Sequence, residues 1–236
     1  MGRTIGFCSG LPAAFGLDCA CLMRFLCISD IHGHADALAA VLATAERRGF
    51  SKLLVAGDLC FPGPAPLATW RRLMAANAIC VQGVGDRALA TVDVDNLRAT
   101  SEHERARLDR LRATRVELGE LILARLAKLP KTMRIAIETG GEILLVHGSP
   151  LDPSEPFSHE MTEEEANTLI ADDPADLIIC GASHVPFDRQ VGETRVVNVG
   201  SVGEAPGGHH AHATFVETSA SGILIEQFVV PLGRAA

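Results

Sequence analysis

The sequence predicts an α/β fold in which parallel strands hold their functional loops at one edge of a sheet. Three short hydrophobic runs, at positions 24–29, 52–56 and 78–82, each end in polar residues or glycines. Segments that favour helices follow the first and the second run, as in successive strand, loop and helix units. Because the carboxyl ends of parallel strands share one edge, we expect the loops after these runs to lie together.

The helices are predicted from apolar spacing and from their end signals. The first is expected to end at Gly49. Its apolar positions i, i+3, i+4 and i+7 are Leu38, Val41, Leu42 and Ala45. The second passes through Trp70 and Leu73, after a loop rich in proline and glycine at 61–66.

A longer helical region, of one or two helices, is predicted from position 101 to about 129. A Ser101-x-x-Glu104 sequence indicates a capping box at its start. Its expected apolar stripe consists of Leu108, Leu111, Val116, Leu118, Leu121, Ile122 and Leu126.

After Pro130 the pattern becomes that of strands, with one helix at 162–171. The predicted strands are 133–137, 143–146, 177–180, 195–199, 212–217 and 223–230. Without an internal repeat or a low-complexity linker, 236 residues favour a single domain. We place that domain at 23–236 and treat 1–22 as an extension of doubtful function, with Met23 as an alternative start of translation.

Composition excludes several classes of function. The net charge of −8 disfavours a sequence-independent grip on long nucleic acids. No stretch approaches the roughly 18 consecutive apolar residues of a membrane span. Seven cysteines without regular spacing indicate reduced thiols, so we expect a soluble, cytoplasmic protein. The sequence contains neither a Gly-x-Ser-x-Gly elbow nor a P-loop.

Carboxylates and imidazoles follow four of the predicted strands. Asp30 and His32 come after the first strand, Asp58 after the second, and His147 and His184 after two of the later strands. Residues two apart leave an extended backbone on the same side, so Asp30 and His32 can bind one ion. Oxygen and imidazole ligands at strand ends meet the needs of a two-metal phosphoesterase, which holds two divalent ions roughly 3.5–4 Å apart so that a bound water attacks phosphorus in line. Asp58 is the natural bridge between the ions.

The order of these motifs resembles that of the calcineurin-like phosphoesterases. The residues of the last motifs are similar to those of the small bacterial branch of that family. The resemblance covers positions 23 to about 230. Its motifs are Asp30-Ile-His32, Gly57-Asp58, Gly83-Val-Gly-Asp86, His147-Gly-Ser-Pro150, Gly181-Ala-Ser-His184 and Asn198-Val-Gly-Ser201-Val-Gly203. It implies a four-layer α/β/β/α sandwich, here with a helical insertion, and hydrolysis of a small phosphate mono- or diester.

The resemblance also shows three departures from the family pattern. Val84 and Ala182 replace an asparagine and a histidine that bind the second metal, and Gly85 replaces a histidine thought to protonate the leaving group.

The ligands of the first implied ion are all retained: Asp30, His32, Asp58 and His184. Those of the second are reduced to Asp58 and His147. We therefore expect one firmly bound divalent ion of the Mn, Fe, Zn or Ni class and a second that is absent or binds only with substrate. The residues expected to take part in catalysis are Asp58, His147 and His184.

Three alternatives remain open at this stage. His209 or His210 either replaces a missing ligand or belongs to a solvated His-rich loop. His34 either contacts substrate phosphate or caps the first helix. The chain is either a metal-dependent hydrolase or a degenerate domain used for binding or scaffolding. Clustered acids and imidazoles are costly to bury without a cation, which favours a metal.

Overall fold

The computed structural model describes residues 23–138 and 140–233. Within these ranges the helices and strands follow one another in a fixed order. They are β1 (Met23–Ile28), α1 (Ala35–Glu46), β2 (Lys52–Val55), α2 (Pro66–Ala75), β3 (Ile79–Cys80), α3 (Val84–Thr91), α4 (Glu102–Ala127), β4 (Thr132–Ala136), β5 (Glu142–Val146), α5 (Glu163–Ile170), β6 (Leu177–Cys180), β7 (Phe187–Val191), β8 (Thr194–Asn198), β9 (His210–Ser219) and β10 (Gly222–Pro231).

The strands form two mixed sheets of five strands each. The first has the order β10-β9-β1-β2-β3 and the second the order β4-β5-β6-β8-β7. The strands β1, β2 and β3 are parallel, as are β5, β6 and β8, whereas the remaining strands pair antiparallel at the flanks. The parallel strands thus form one side of the first sheet and the centre of the second.

Three buried clusters show that the layers stack as a four-layer α/β/β/α sandwich. The sheets face each other across one cluster, in which Phe25 and Leu54 of the first sheet meet Leu145 and Ile179 of the second. The first four helices cover the outer face of the first sheet, and α5 covers that of the second. Each fully buried leucine or isoleucine stabilises the fold by roughly 1.5–3 kcal/mol.

The local signals for helices are largely confirmed. All four apolar positions of the predicted stripe in α1 are buried. The hydroxyl of Ser101 accepts a hydrogen bond from the amide of Glu104, and the Glu104 side chain accepts one from the amide of Ser101. These two bonds form the predicted capping box of α4. Thr162 and Glu165 form the same arrangement at the start of α5.

The predicted apolar stripe of α4 is wrong at two positions. The side chains of Val116 and Leu121 are 83% and 84% exposed. Leu121 follows Gly119, whose φ of 71° and ψ of 165° interrupt the helix, so the apolar period loses its phase there. Val116 lies before this break, five residues after Leu111, and therefore falls outside the face that carries Leu111 and Leu118. The structure also contains α3 and β7, which the sequence pattern does not predict.

The described cysteines are consistent with reduced thiols. Cys27, Cys60, Cys80 and Cys180 are free and buried, and burial raises the pKa of Cys80 to about 12. No helix of the described residues combines the length and apolarity needed to cross a membrane. The predictions for residues 1–22 lie outside the described residues.

Candidate metal centre

Four loops bring the predicted ligands together. The first two loops are joined by backbone hydrogen bonds, from the Asp30 amide to the Gly57 carbonyl at 3.1 Å and from the His32 amide to the Asp58 carbonyl at 2.9 Å. In the second sheet, the Gly181 amide donates to the His147 carbonyl at 2.8 Å. Adjacent parallel strands therefore position these loops on rigid supports.

The five residues form two groups of converging ligand atoms. One group is Asp30, His32 and His184, and the other is Asp30, Asp58 and His147. Within each group the ligand atoms all lie within 4.8 Å of one another. All five of the predicted metal ligands are thus assembled, and apart from the partly exposed His184 they are buried.

Asp30 is the residue common to the two groups. Its Oδ1 lies 3.2 Å from Nε2 of His184 and 3.5 Å from Nε2 of His32. The Oδ2 atom of Asp58 lies 3.6 Å from Nε2 of His147 and 4.0 Å from Nδ1 of His32. The sequence predicts Asp58 as the bridge, whereas in the described geometry Asp30 takes part in both groups.

Backbone carbonyls determine which nitrogen each buried imidazole presents to the carboxylates. Nδ1 of His32 lies 2.6 Å from the Phe61 carbonyl, and Nδ1 of His147 lies 2.7 Å from the Ala56 carbonyl. A carbonyl can only accept, so each Nδ1 carries the proton and donates it. The neutral rings of His32 and His147 then present unprotonated Nε2 atoms, as metal ligands do.

The Asp30 carboxylate has one satisfied oxygen and one without a partner. Its Oδ2 accepts the Ala182 amide at 2.9 Å. Its Oδ1 is buried and has no hydrogen-bond partner, although two imidazole nitrogens face it. A buried carboxylate oxygen without a partner is costly, and a cation would satisfy it. The donor set therefore fits a divalent metal ion.

The pKa shifts show how strongly this cluster favours a positive charge. Burial lowers the pKa of His32, but the carboxylates of Asp30 and Asp58 outweigh it and raise the value to about 9. The contact with Asp30 likewise raises the pKa of His184. Burial raises the pKa of Asp30, but the facing rings of His184 and His32 hold it well below its usual range.

The backbone is strained where the ligands sit. Asp30, His32, Asp58 and His184 have φ values of 53°, 50°, 52° and 60°, in the left-handed region that side chains other than those of glycine rarely adopt. Ala182, in the same loop as His184, has a φ of 65°. Such clustered strain is typical of functional sites.

The second group lacks further ligands at the two positions where the resemblance expects them. Val84 presents an apolar side chain that is 47% exposed, and Ala182 presents a methyl group. Asp58 is nevertheless held in place, because its Oδ1 accepts the Gly85 amide at 2.7 Å.

Comparison with known families agrees with this geometry. The model of the calcineurin-like phosphoesterase superfamily domain matches residues 23–221. The chain belongs to this superfamily. None of the curated proteins matches the sequence.

Three solved structures show the same fold. A hypothetical protein of Pyrococcus horikoshii OT3 is 22% identical, with a TM-score of 0.75 over 90% of this chain and 89% of that chain. A metallophosphoesterase of Sphaerobacter thermophilus is 24% identical, with a TM-score of 0.68 over 87% of each chain. A phosphoesterase from E. coli is 21% identical, with a TM-score of 0.51 over 88% of this chain and all of that chain. Membership of the superfamily associates the chain with metal-dependent phosphoester hydrolysis in general.

A cavity of about 360 Å³ opens beside the metal centre of this calcineurin-like domain. It is bounded on one side by His32 and Asp58 and on another by α4. Residues that the sequence patterns do not single out also line it: His103, Arg107, Arg110 and Glu204.

Glu204 is the missed residue nearest to the ligands, with Oε2 3.7 Å from Nε2 of His32. Its backbone is fixed by Ser201, whose hydroxyl donates to the Asp30 carbonyl and accepts the Glu204 amide, both at 2.8 Å. The sequence signal that could have identified Glu204 is its place directly after the Asn198–Gly203 motif of the family. No general rule assigns a function to a residue at that position.

The histidines considered as replacements lie elsewhere. Nε2 of His210 contacts Nε2 of His212 at 3.1 Å, and His209 lines a separate cavity with His34. Neither His209 nor His210 belongs to the ligand groups found among the described residues. His34 occupies the N-cap position of α1, but its side chain makes no capping hydrogen bond.

Proposed function

We propose that this member of the calcineurin-like superfamily hydrolyses a small phosphate mono- or diester with water and a divalent ion. The observation that supports this proposal is the Oδ1 atom of Asp30, which is buried without a hydrogen-bond partner and faces the Nε2 atoms of His32 and His184. A module that only binds other proteins has no need to bury such a cluster.

Asp30, His32 and His184 would hold the more firmly bound ion, with Asp58 beside them. An ion bound there supplies Lewis acidity, which polarises a phosphoester and lowers the pKa of water. Asp58 and His147 would hold a second ion only together with Asp30, which the first ion already uses. The proposed cofactor is therefore one firmly held ion of the Mn, Fe, Zn or Ni class, with weaker binding of a second.

The chain's own residues have distinct tasks in this proposal. The Gly85 amide holds Asp58 at one oxygen, which leaves its other oxygen directed towards His147. The proton on Nδ1 of His147 is committed to the Ala56 carbonyl, so its Nε2 lone pair would bind the second ion and would accept a proton only when that ion is absent. At position 85 no side chain can protonate a leaving group, so esters of acidic alcohols are the favoured substrates.

The test is metal analysis together with hydrolysis. Protein purified without chelator is analysed for bound metal and assayed with p-nitrophenyl phosphate and bis-p-nitrophenyl phosphate in added Mn²⁺. We expect about one ion per chain. Asp58→Asn should reduce turnover by at least about 100-fold, whereas Asp172→Asn, at an exposed position, should leave it unchanged. Protein without bound metal and without turnover in any divalent ion would instead indicate a degenerate binding domain.

A further inference from the structure

One face of α4 presents three basic side chains to the cavity beside the metal centre. His103, Arg107 and Arg110 line this cavity together with Ala106. Positions 103, 106, 107 and 110 are spaced i, i+3, i+4 and i+7, which places them on one side of a helix. We call His103, Arg107 and Arg110 the basic wall.

The charges of the two arginines in the basic wall are not neutralised by carboxylates. Among the described residues, ion pairs within 4.0 Å are formed by other arginines, namely Arg24, Arg48, Arg112, Arg134 and Arg195. Arg107 and Arg110 therefore keep a full charge available to a ligand in the cavity.

The loop after β2 orders these arginines without cancelling their charge. Nη1 of Arg110 donates to the Pro62 carbonyl at 3.1 Å, and the guanidinium of Arg107 lies 6.0 Å from the centre of the Phe61 ring. The Phe61 carbonyl accepts Nδ1 of His32. Two consecutive residues of one loop thus contact a metal ligand and the basic wall, which fixes the position of one relative to the other.

The metal side and the basic wall of the cavity both suit the phosphoryl group of a phosphoester anion. A guanidinium binds phosphate oxygens through parallel N–H donors in a planar fork. The cavity of about 360 Å³ is at the small end of ligand sites, which span roughly 300–1,000 Å³. It accommodates a small molecule and leaves no room for a long polymer to be enclosed.

We propose that the basic wall is the anion-binding part of the substrate site and that it selects small phosphomonoesters, which are dianions, over monoanionic diesters. This inference rests on the proposed hydrolytic function. Two unpaired guanidinium groups interact more strongly with two negative charges than with one. This inference narrows the proposed substrates from mono- or diesters to phosphomonoesters.

The kinetic test compares Arg107→Gln and Arg110→Gln with Arg105→Gln. Arg105 is exposed on the same helix and does not line the cavity, so it is a matched control. For p-nitrophenyl phosphate in Mn²⁺, we expect each wall variant to raise KM about tenfold or more, since hydrogen bonds to a charged group are lost. For bis-p-nitrophenyl phosphate the rise should stay below about threefold, and Arg105→Gln should change neither value. Equal losses on both esters, or no loss, would overturn the inference.

A binding measurement separates this inference from the proposed function. Titration calorimetry with inorganic phosphate should show binding to the unchanged protein, binding at least about tenfold weaker in both wall variants, and no change in Arg105→Gln. If phosphate binds in this pattern but no ester is hydrolysed, the basic wall stands and the hydrolytic function fails. If esters are hydrolysed but the wall variants bind phosphate normally, or the unchanged protein binds none, the function stands and the basic wall is rejected.

Discussion

The Nε2 atoms of His32 and His184 lie 3.1 Å apart, and both face Oδ1 of Asp30. Because Nδ1 of His32 donates to the Phe61 carbonyl, Nε2 of the neutral ring carries a lone pair. Two lone pairs and a carboxylate at this distance repel one another unless a proton or a metal ion lies between them. The raised pKa values of His32 and His184 reflect the same requirement.

Adding Mn²⁺ to protein treated with chelator should raise its thermal stability. Binding to the folded state alone adds about 2.7 kcal/mol to the free energy of unfolding when the ion is at 100 times its Kd. His184→Ala should lose most of this gain, because it removes one of the three converging ligands. His159→Ala is the control, since that exposed ring, with Nε2 3.9 Å from Oε1 of Glu160, belongs to neither ligand group. Thermal melts with and without Mn²⁺ measure the difference; an equal gain in both variants would exclude His184 as a ligand.

Gly83→Ala should remove metal binding and turnover while the chain still folds. A Cβ at Gly83 would lie 2.2 Å from Oδ1 and 2.3 Å from the amide nitrogen of Asp58, so that residue must move. The backbone itself tolerates alanine, because φ is −92° and ψ is 179°. We expect at least about a 100-fold loss of turnover. Gly233→Ala, where a Cβ would meet nothing within 4 Å, should have no effect. Normal metal content in Gly83→Ala would contradict the assigned position of Asp58.

The buried Asp86 should make the free energy of unfolding decrease as the pH rises. Its oxygens accept the amides of Leu59 and Gly83, both at 3.0 Å. Burial, and then the charge of Asp58, raise the pKa of Asp86 from 3.8 to about 7. Between these values the folded state binds more protons than the unfolded state, so this group's contribution to the free energy of unfolding falls as pH rises.

Asp86→Asn isolates that contribution. Asparagine does not titrate, and its NH₂ group cannot accept a hydrogen bond from the second amide. The free energy of unfolding of the variant should therefore be roughly 1–3 kcal/mol lower at pH 5. The difference from the unchanged protein should shrink as the pH rises to 8. Urea unfolding in the presence of chelator at both values measures it. A difference that is constant, or grows with pH, would show that Asp86 is ionised in the folded state throughout this range.

The sequence was sufficient to predict most of the strands and the convergence of the five candidate ligands. Asp30, His32, Asp58, His147 and His184 were predictable because strand ends in a parallel sheet share an edge. The stripe of α4 was not fully predictable. A glycine within a helix is common enough that Gly119 did not reveal the break after which Leu121 is exposed.

The missed residues of the site depend on tertiary contacts. Arg107 and Arg110 belong to a helix that is rich in arginine and glutamate, which as a pattern is typical of a solvated face. Only the packing of α4 beside the loop at Phe61 brings them to the cavity. The shared role of Asp30 in the two ligand groups likewise depends on interatomic distances that no spacing in the sequence encodes.

Val84→Asn combined with Ala182→His should create a stronger second metal site. Val84 lines the cavity beside Asp58, and the Ala182 amide already contacts Asp30. Histidine at position 182 is sterically acceptable, because His32 and His184 adopt φ values of 50° and 60°, close to the 65° of Ala182. Metal content should rise from about one to about two ions per chain, since the asparagine and the histidine add two ligands to the second group.

The matched control for that gain is Val116→Asn with Ala171→His. Both positions are exposed and lie outside the site, and Ala171 has a φ of 53°, so the same side chains are introduced under similar backbone strain. Elemental analysis after gel filtration should show extra metal only in the first double variant. Extra metal in both variants would indicate adventitious binding to new histidines. An unchanged content in the first would mean that positions 84 and 182 do not face the second ion, and the reduced second site would then need another cause.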